Sequence, residues 1–402
     1  MNAFSRKLCW LTALSFLGTA AHVALAAEPI KFGAVVPVKE LVGKQSANAM
    51  RLAVKEINNA GGVLGRQIKV IIEDDEMNGP KGAAAINKLA TEDKVDFFIG
   101  GLSSSVTLDE IPVMKLHKKI TLWSGAASSR VERALKGEDW FFHLHPWDYQ
   151  QTQGYIDGWL AIAKNNPKVK LNKWFFAYED GAFGTRSYHA YVDIFPKEWT
   201  HKGADFKSVS VGGNGDYRVV LKRAKEAKPD VFVWFGHEDD ALPIMNQARE
   251  MGFQPPVFIG SPPGWPAYFG KTALSENVSY YGLWTPALIT KNKSSGRFTE
   301  NYRKEFNEEP ENHIMELCYS SIHILAEAIK RAGTLETTAL IAALEQTNYE
   351  SPLGETISFK PSRVIKHQGL TRLKTLQWQN GVLQVVWPFE FASAPFKYPY
   401  KE

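Results

Sequence analysis

A chain of 402 residues that is 44% hydrophobic and 22% charged has an ordinary globular composition, and it is too long for one small core, so two domains are expected. The formal net charge is only +4, which gives no reason to expect a nucleic-acid partner. Two cysteines, Cys9 and Cys318, leave little room for disulfide stabilisation.

Arg6 and Lys7, an apolar run over 8–17 and small residues up to Ala24-Leu25-Ala26 have the order of a secretory signal, with cleavage expected after Ala26 or Ala27. The run is shorter than the ~20 residues a membrane span needs, and no other stretch is long enough. Cys9 lies inside the signal and lacks the small and apolar residues that precede a lipidated cysteine. The mature protein is therefore expected to be exported, to keep Cys318 as its one thiol, and to rely on core burial.

Residues 30–38 read as a strand and 45–59 as a helix, with Met50, Ala53, Val54 and Ile57 at helical spacing and Gly61-Gly62 as the stop. A strand over 67–73 ends in Asp74-Asp75, and a helix over 81–92 begins after Pro80. The apolar run 95–99 is next, and it ends in Gly100-Gly101 and then Ser103-Ser104-Ser105. This is a strand-to-helix junction of the kind where open α/β sheets place ligands, because the helix start aims free N–H groups at whatever is bound. The pattern recurs where Ile120-Thr121-Leu122-Trp123 runs into Ser124-Gly125-Ala126-Ala127-Ser128-Ser129. Two such adjacent loops make one polar pocket suited to a carboxylate. The alternation of strand and helix predicts a parallel sheet with right-handed crossovers.

Residues 139–146 run extended and meet Trp147-Asp148, where a new helix starts and the chain first passes between lobes. A second α/β series is predicted: strand 173–178, helix 183–195, strand 206–211, helix 216–227, strand 231–235, helix 239–251 and strand 257–259. Strand 277–284 leads to a second passage at Thr285-Pro286, followed by helices over 295–306, 314–332 and 336–345, the middle one strongly apolar. Segments 371–379 and 382–387 flank Asn380-Gly381, a hairpin signal, and the aromatic, proline-rich tail after Pro388 is expected to lie across a surface. The division this suggests is a signal over 1–27, one lobe of 28–145 plus 285–367, and a second of 146–284 plus 368–402.

These residues together resemble the type I periplasmic substrate-binding proteins of the branched-chain amino-acid (leucine/isoleucine/valine-binding) ABC transporter family. The resemblance runs through Ala53-Val54-Lys55-Glu56-Ile57-Asn58 with Gly61-Gly62, Asp74-Asp75, the Ile99 to Ser105 loop, Gly125-Ala126, Phe183-Gly184, and Asn246-Gln247-Ala248-Arg249 with Gly252; their order and spacing carry it. It implies two Rossmann-like α/β lobes with parallel central sheets, joined by three crossing segments and closing on a ligand like a hinge. It further implies a monomeric periplasmic receptor that serves the membrane permease of an ABC importer, with no cofactor and no catalysis. Ser104 fits the serine that holds the ligand's carboxylate, Ala126 fits a backbone contact in the second loop between Gly125 and Ser128, and Phe183 fits the aromatic from the second lobe.

Two departures bear on the ligand. Ala127 stands where amino-acid-binding relatives have a Thr, with Ser128 one step on. The acid with which those relatives pair the ligand's ammonium is absent from Gly260-Ser261-Pro262-Pro263-Gly264-Trp265, and an unpaired buried ammonium is costly. Glu238, beside His237 at the end of strand 231–235, is the candidate substitute. The ligand thus stays open between an amino acid and an amine-free aromatic or aliphatic carboxylate, with Phe183, His237 and Trp265 expected near the cleft.

The remaining constellations have plainer readings. Gly270-Lys271-Thr272 looks like the end of a phosphate-binding loop, but Gly264 is one residue too far upstream and no strand-to-helix junction surrounds it. His143 and His145 alternate, with Asp148 beyond, yet a third and fourth metal ligand cannot be named, so packing in the crossing segment is expected. Asp239 and Asp240 read as a helix N-terminus favoured by the dipole. Ser103 to Ser105 lack G-x-S-x-G, so no nucleophile elbow is read there, and they are able to cap a helix and bind a ligand at once. Twelve Trp include candidates for covering a ligand, though most are expected in the core. The competing classes are an enzyme of the same architecture and a sensory module handing its signal to a separate receptor.

Overall fold

The computed structural model describes residues 28–262, 265 and 268–400; the secretory signal assigned to 1–27 lies outside them. Strand and helix alternate from the start: β1 (Ile30–Val35), α1 (Leu41–Asn59), β2 (Ile68–Glu73), α2 (Gly79–Thr91), β3 (Phe97–Gly100), α3 (Ser104–His117), β4 (Thr121–Trp123), α4 (Ser129–Ala134) and β5 (Phe141–His143). A second series follows with α5 (Asp148–Asn165), β6 (Lys173–Glu179), α6 (Ala182–Asp193), β7 (Thr200–Phe206), α7 (Arg218–Ala227), β8 (Val231–Phe235), α8 (Glu238–Glu250), β9 (Val257–Ser261) and β10 (Ser279–Gly282). The chain ends with α9 (Lys293–Phe306), α10 (His313–Ala332), α11 (Thr337–Glu345), the short β11 (Tyr349–Glu350), β12 (Thr356–Ile357) and β13 (His367–Gln368), and the hairpin β14 (Lys374–Gln379) and β15 (Val382–Trp387).

The strands form two principal sheets. The first runs β13-β5-β4-β3-β1-β2 and is parallel throughout; the second runs β15-β14-β10-β9-β8-β6-β7. Central strands such as β3, β4 and β8 are buried along their whole length, which is why they read as unbroken apolar runs. Helix α10, with fifteen of its twenty residues buried, packs against α1 and against β3 and β4 of the first sheet. The second sheet is mixed, because β14 pairs antiparallel with β10 and β15 with β14. Asn380 (φ 52) and Gly381 (φ 77) both occupy the left-handed region that a two-residue hairpin turn demands.

Two predicted elements move. Strand β7 covers Thr200–Phe206 and not 206–211, where Val209–Val211 is a single 3-10 turn. As the edge strand beside β6, β7 leaves most of its residues in water, so its sequence carries no apolar signal. Helix α1 begins at Leu41, earlier than expected. Gly43 lets its first turn lie against the chain, since a Cβ there would be 2.0 Å from the Pro37 carbonyl oxygen.

The chain passes between the sheets three times, and the passages are bonded to one another. Gly369 N donates to His143 O (2.7 Å) and Leu370 N to Leu144 O (3.0 Å). Gln368 Nε2 donates to His145 O (2.9 Å) and Leu370 O (2.7 Å), joining the first and third passages. Lys374, whose side chain is 2% exposed, joins the third to the second by donating to Leu283 O (2.9 Å), and it pairs with the Glu355 carboxylate. The tail runs along the second sheet, where Gln377 and Gln379 donate to Lys397 O (2.9 Å) and Pro395 O (2.8 Å), and Phe396 packs edge-on to Trp159. Replacing Lys374 by Met leaves the Glu355 carboxylate and the Leu283 carbonyl without their donor. The expected loss in unfolding free energy is about 3 kcal/mol, read from urea unfolding at pH 7; an unchanged midpoint would show that the passages hold without the lysine.

Candidate functional site

Both sheets direct the carboxyl ends of their strands at one cavity between the lobes, with an enclosed volume of about 50 Å³. One wall is Leu102, Ser103, Ser104, Gly125, Ala126 and Ala127, from the loops after β3 and β4. The facing wall is Phe183, His237, Ser261 and Pro262, and the floor at the passages is His145, Gln151, Tyr281, His313, Ile314 and Leu373. Ser104, Gly125, Ala126, Phe183 and His237, singled out from sequence, are thus brought together.

The three serines at the start of α3 have three different uses. Ser103 caps the helix, its hydroxyl accepting from Val106 N at 3.5 Å. Ser104 Oγ accepts from Ser128 N at 3.1 Å, which leaves its own O–H to donate to a ligand. Ser105 Oγ accepts from Ala182 N (3.2 Å), the first residue of α6, and so fastens the second lobe to the first. Glycine is needed at 125, where a Cβ would lie 2.7 Å from Gly101 O as the two loops abut. Beside it Ala126 is held at φ 62, a strained value for a residue with a Cβ, by its N–H donating to Leu102 O at 2.8 Å.

Ser128 does not line the cavity. It caps α4, accepting from Arg130 N at 3.2 Å, and acts on the site through the bond that orients Ser104. Glu238 does not line it either: both its carboxylate oxygens face Val42 N, at 3.2 and 3.1 Å, across the lobe interface. Trp265 is a core residue stacked on Phe269 at 4.1 Å, and no Trp is among the residues lining the cavity. His143 and His145 point to different partners. His143 donates from Nε2 to Gly125 O (2.6 Å) and stacks on Trp147, while His145 meets His313. Among the described residues no group of three or more His, Cys, Asp or Glu is placed to hold a metal ion.

The floor residues were not found from sequence. His145 and His313 lie 168 positions apart, yet their Nε2 atoms are 3.1 Å apart, and no local periodicity announces such a pair. His145 is the exception in part, since its alternation with His143 drew notice for a different chemistry.

The cavity lining contains no Asp, Glu, Lys or Arg. Its field comes from helix ends: α3, α6, α8 and α10 all begin at it. Most of these ends are already served by an acid. Helix α8 carries Glu238, Asp239 and Asp240 in its first turn; α10 carries Glu316; the N–H groups of Gly181 and Gly184 at α6 donate to the Glu179 carboxylate (2.5 and 2.6 Å). Helix α3 has no acid in its first turn and therefore presents the uncompensated positive end.

The chain matches the periplasmic binding protein family over residues 29–381 and belongs to it. It is 25% identical over 407 residues to Leu/Ile/Val-binding protein homolog 7 of Brucella abortus (strain 2308), covering 97% of this chain and 99% of that protein. Among solved structures it resembles the branched-chain amino acid transporter substrate binding protein LivJ of Streptococcus pneumoniae, in complex with isoleucine, with a TM-score of 0.75 at 22% identity over 92% of this chain and 100% of that one. It also resembles a solute binding protein of an ABC transporter from Rhodopseudomonas palustris BisB5, in complex with 3,4-dihydroxybenzoic acid, with a TM-score of 0.73 at 22% identity over 88% and 95% of the two chains. A second R. palustris solute binding protein, in complex with benzoate, gives a TM-score of 0.75 at 16% identity over 91% and 97%. The fold is that of an ABC-importer solute-binding protein, which takes a small ligand between two lobes. Since that fold is seen with both an amino acid and arene carboxylates, the choice of ligand rests on the residues at the cavity.

The acids that close the lobes make a pH prediction. Burial, and next the charge of Glu40, push Glu238 up to about 8; burial, and next Asp239, push Glu40 up to about 7. The folded chain therefore binds protons that the unfolded chain releases near the ordinary value of 4.5. The associated stability is fully present below about pH 4.5 and is lost as the pH rises through 7 to 8. Unfolding free energy of the wild type is expected to fall between pH 5 and pH 8 relative to Glu238→Gln, whose amide does not ionise. Parallel curves for the two proteins would show that Glu238 carries no such linkage.

Proposed function

We propose that this protein is a periplasmic receptor delivering an amine-free aromatic carboxylate to the permease of an ABC importer. The observation that carries the reading is a cavity with no acidic side chain in its lining, faced by the one helix start, that of α3, whose dipole no acid offsets. A carboxylate placed there meets the Ser104 hydroxyl and those first-turn N–H groups of α3 that Ser103, which accepts from Val106 N, does not already take. An α-ammonium group would be buried without an anion, because Glu238 is engaged with Val42 at the lobe interface. Leu102, Phe183, Pro262, Ile314 and Leu373 supply apolar surface for a ring, with Phe183 and His237 at a centroid distance of 6.1 Å. Structural relatives in complex with benzoate and with 3,4-dihydroxybenzoic acid support the reading.

Binding would begin on the first lobe, at Ser104 and the Gly125–Ala126 loop. Closure would then bring Phe183 and His237 over the ligand and make the Ser105–Ala182 and Glu238–Val42 contacts; the permease would engage this closed form, and no covalent bond changes. Export rests on the signal assigned to residues 1–27.

A thermal-shift comparison tests the ligand class. Benzoate at 100 times its dissociation constant should add roughly 2.7 kcal/mol to stability, whereas leucine at the same concentration should add nothing. Ser104→Ala should weaken benzoate binding by roughly 10- to 100-fold, the range for a hydrogen bond to a charged group. Stabilisation by leucine and not by benzoate would overturn the reading.

A further inference from the structure

Resting on that reading, we propose that Ser261 and His237 form a second polar subsite that takes a neutral hydroxyl on the ligand's ring. The ligand then bridges the cleft, with its carboxylate on the first lobe and its hydroxyl on the second. The polar side chains of the cavity floor are already committed. Gln151 donates from Nε2 to Pro146 O (2.6 Å) and accepts at Oε1 from the Tyr155 hydroxyl (2.8 Å). The Tyr281 hydroxyl is shared between Trp159 Nε1 and the Tyr191 hydroxyl. His145 and His313 meet through their Nε2 atoms, His145 Nδ1 lies 3.0 Å from Pro146 O, and His313 Nδ1 is buried beside Gly282. On the first wall, the Ser103 and Ser104 hydroxyls each accept a backbone N–H and keep an O–H to donate, which suits the carboxylate.

The second wall differs. Neither the Ser261 hydroxyl nor the His237 ring makes a hydrogen bond among the described residues, although the two residues are only 6% and 7% exposed. Their polar side-chain atoms still keep accessible surface, so they open on the cavity that both residues line. They come from adjacent strand ends: β8 and β9 are parallel neighbours with Phe235 opposite Ser261, and His237 follows Phe235 by two residues. Phe183, 6.1 Å from the His237 ring, supplies the apolar face against which an arene lies, and this turns the edge of the arene toward the pair. A polar group left unpaired when the lobes close is costly; a ring hydroxyl removes that cost, whereas a ring C–H leaves it in place. Because a hydroxyl both donates and accepts, it pairs with Ser261 and with either tautomer of His237. A second carboxylate is the poorer match, since α8 begins next to His237 with Glu238, Asp239 and Asp240 in its first turn.

The test is titration calorimetry of the wild-type protein with benzoate, with 3- and 4-hydroxybenzoate and with the dicarboxylate terephthalate, repeated on Ser261→Ala, Ser261→Thr and His237→Leu. The quantity read is the ratio of hydroxybenzoate to benzoate affinity. At least one hydroxybenzoate should bind the wild type about 10-fold tighter than benzoate, the factor for one hydrogen bond to an otherwise unpaired buried group. Terephthalate should bind no tighter than benzoate. Ser261→Ala and His237→Leu should each bring the ratio down to about threefold or less, while Ser261→Thr, which keeps the hydroxyl, should retain it. Benzoate binding with no hydroxybenzoate preferred, or with terephthalate preferred, would overturn the subsite and leave the aromatic-carboxylate reading standing. A ratio unchanged in both Ser261→Ala and His237→Leu would also overturn it, and if neither variant folds, the wild-type series still decides. Binding of leucine in place of every benzoate would instead overturn the reading beneath.

Discussion

Buried polar groups at the three passages between the lobes constrain everything else in the molecule. Backbone carbonyls of Leu283, His145 and Leu370 lie in this region, where leaving them unpaired would cost about as much as a lost hydrogen bond. Lys374 and Gln368 satisfy them with side chains from the third passage, so the three strands of chain behave as one pinned bundle. The floor of the cavity is built on that bundle: Leu373 adjoins Lys374, Tyr281 is two residues from Leu283, and His145 is itself held through its carbonyl by Gln368.

The acids follow from the same economy of buried charge. The cavity lining is free of carboxylates among the described residues, yet helix starts attract them. The chain resolves this by turning them away: Glu179 folds back on the N–H groups of Gly181 and Gly184, and Glu238 reaches across to Val42. The contact between the lobes and the cavity lining are thereby given to different residues. Glu238 and Ser105 bond across the lobes, while Ser104, oriented by Ser128, lines the cavity.

Much of this was legible in the chain. The order of strands and helices was, because central parallel strands are buried on both faces and stand out as apolar runs between amphipathic helices. Asn380-Gly381 gave the hairpin because few residue pairs tolerate two left-handed positions in succession. Ser104, Gly125 and Ala126 were legible because a strand ending in small residues before a helix has few other uses in an α/β sheet. Strand β7 was not, because an edge strand facing water looks like a loop, and Val209–Val211 imitates the missing pattern in a single turn. Glu238 was placed in the cavity because position at a strand end gives proximity to the cleft and not the direction of a side chain.

The sequence alone determined the two α/β lobes, the junctions that line the cavity and the absence of an acid after Ile259, since each depends on residues near one another in the chain. Only the tertiary structure decided which acids close the lobes and that His145 and His313 meet. Both depend on side chains brought together from distant segments, and no one-dimensional pattern records which of them meet.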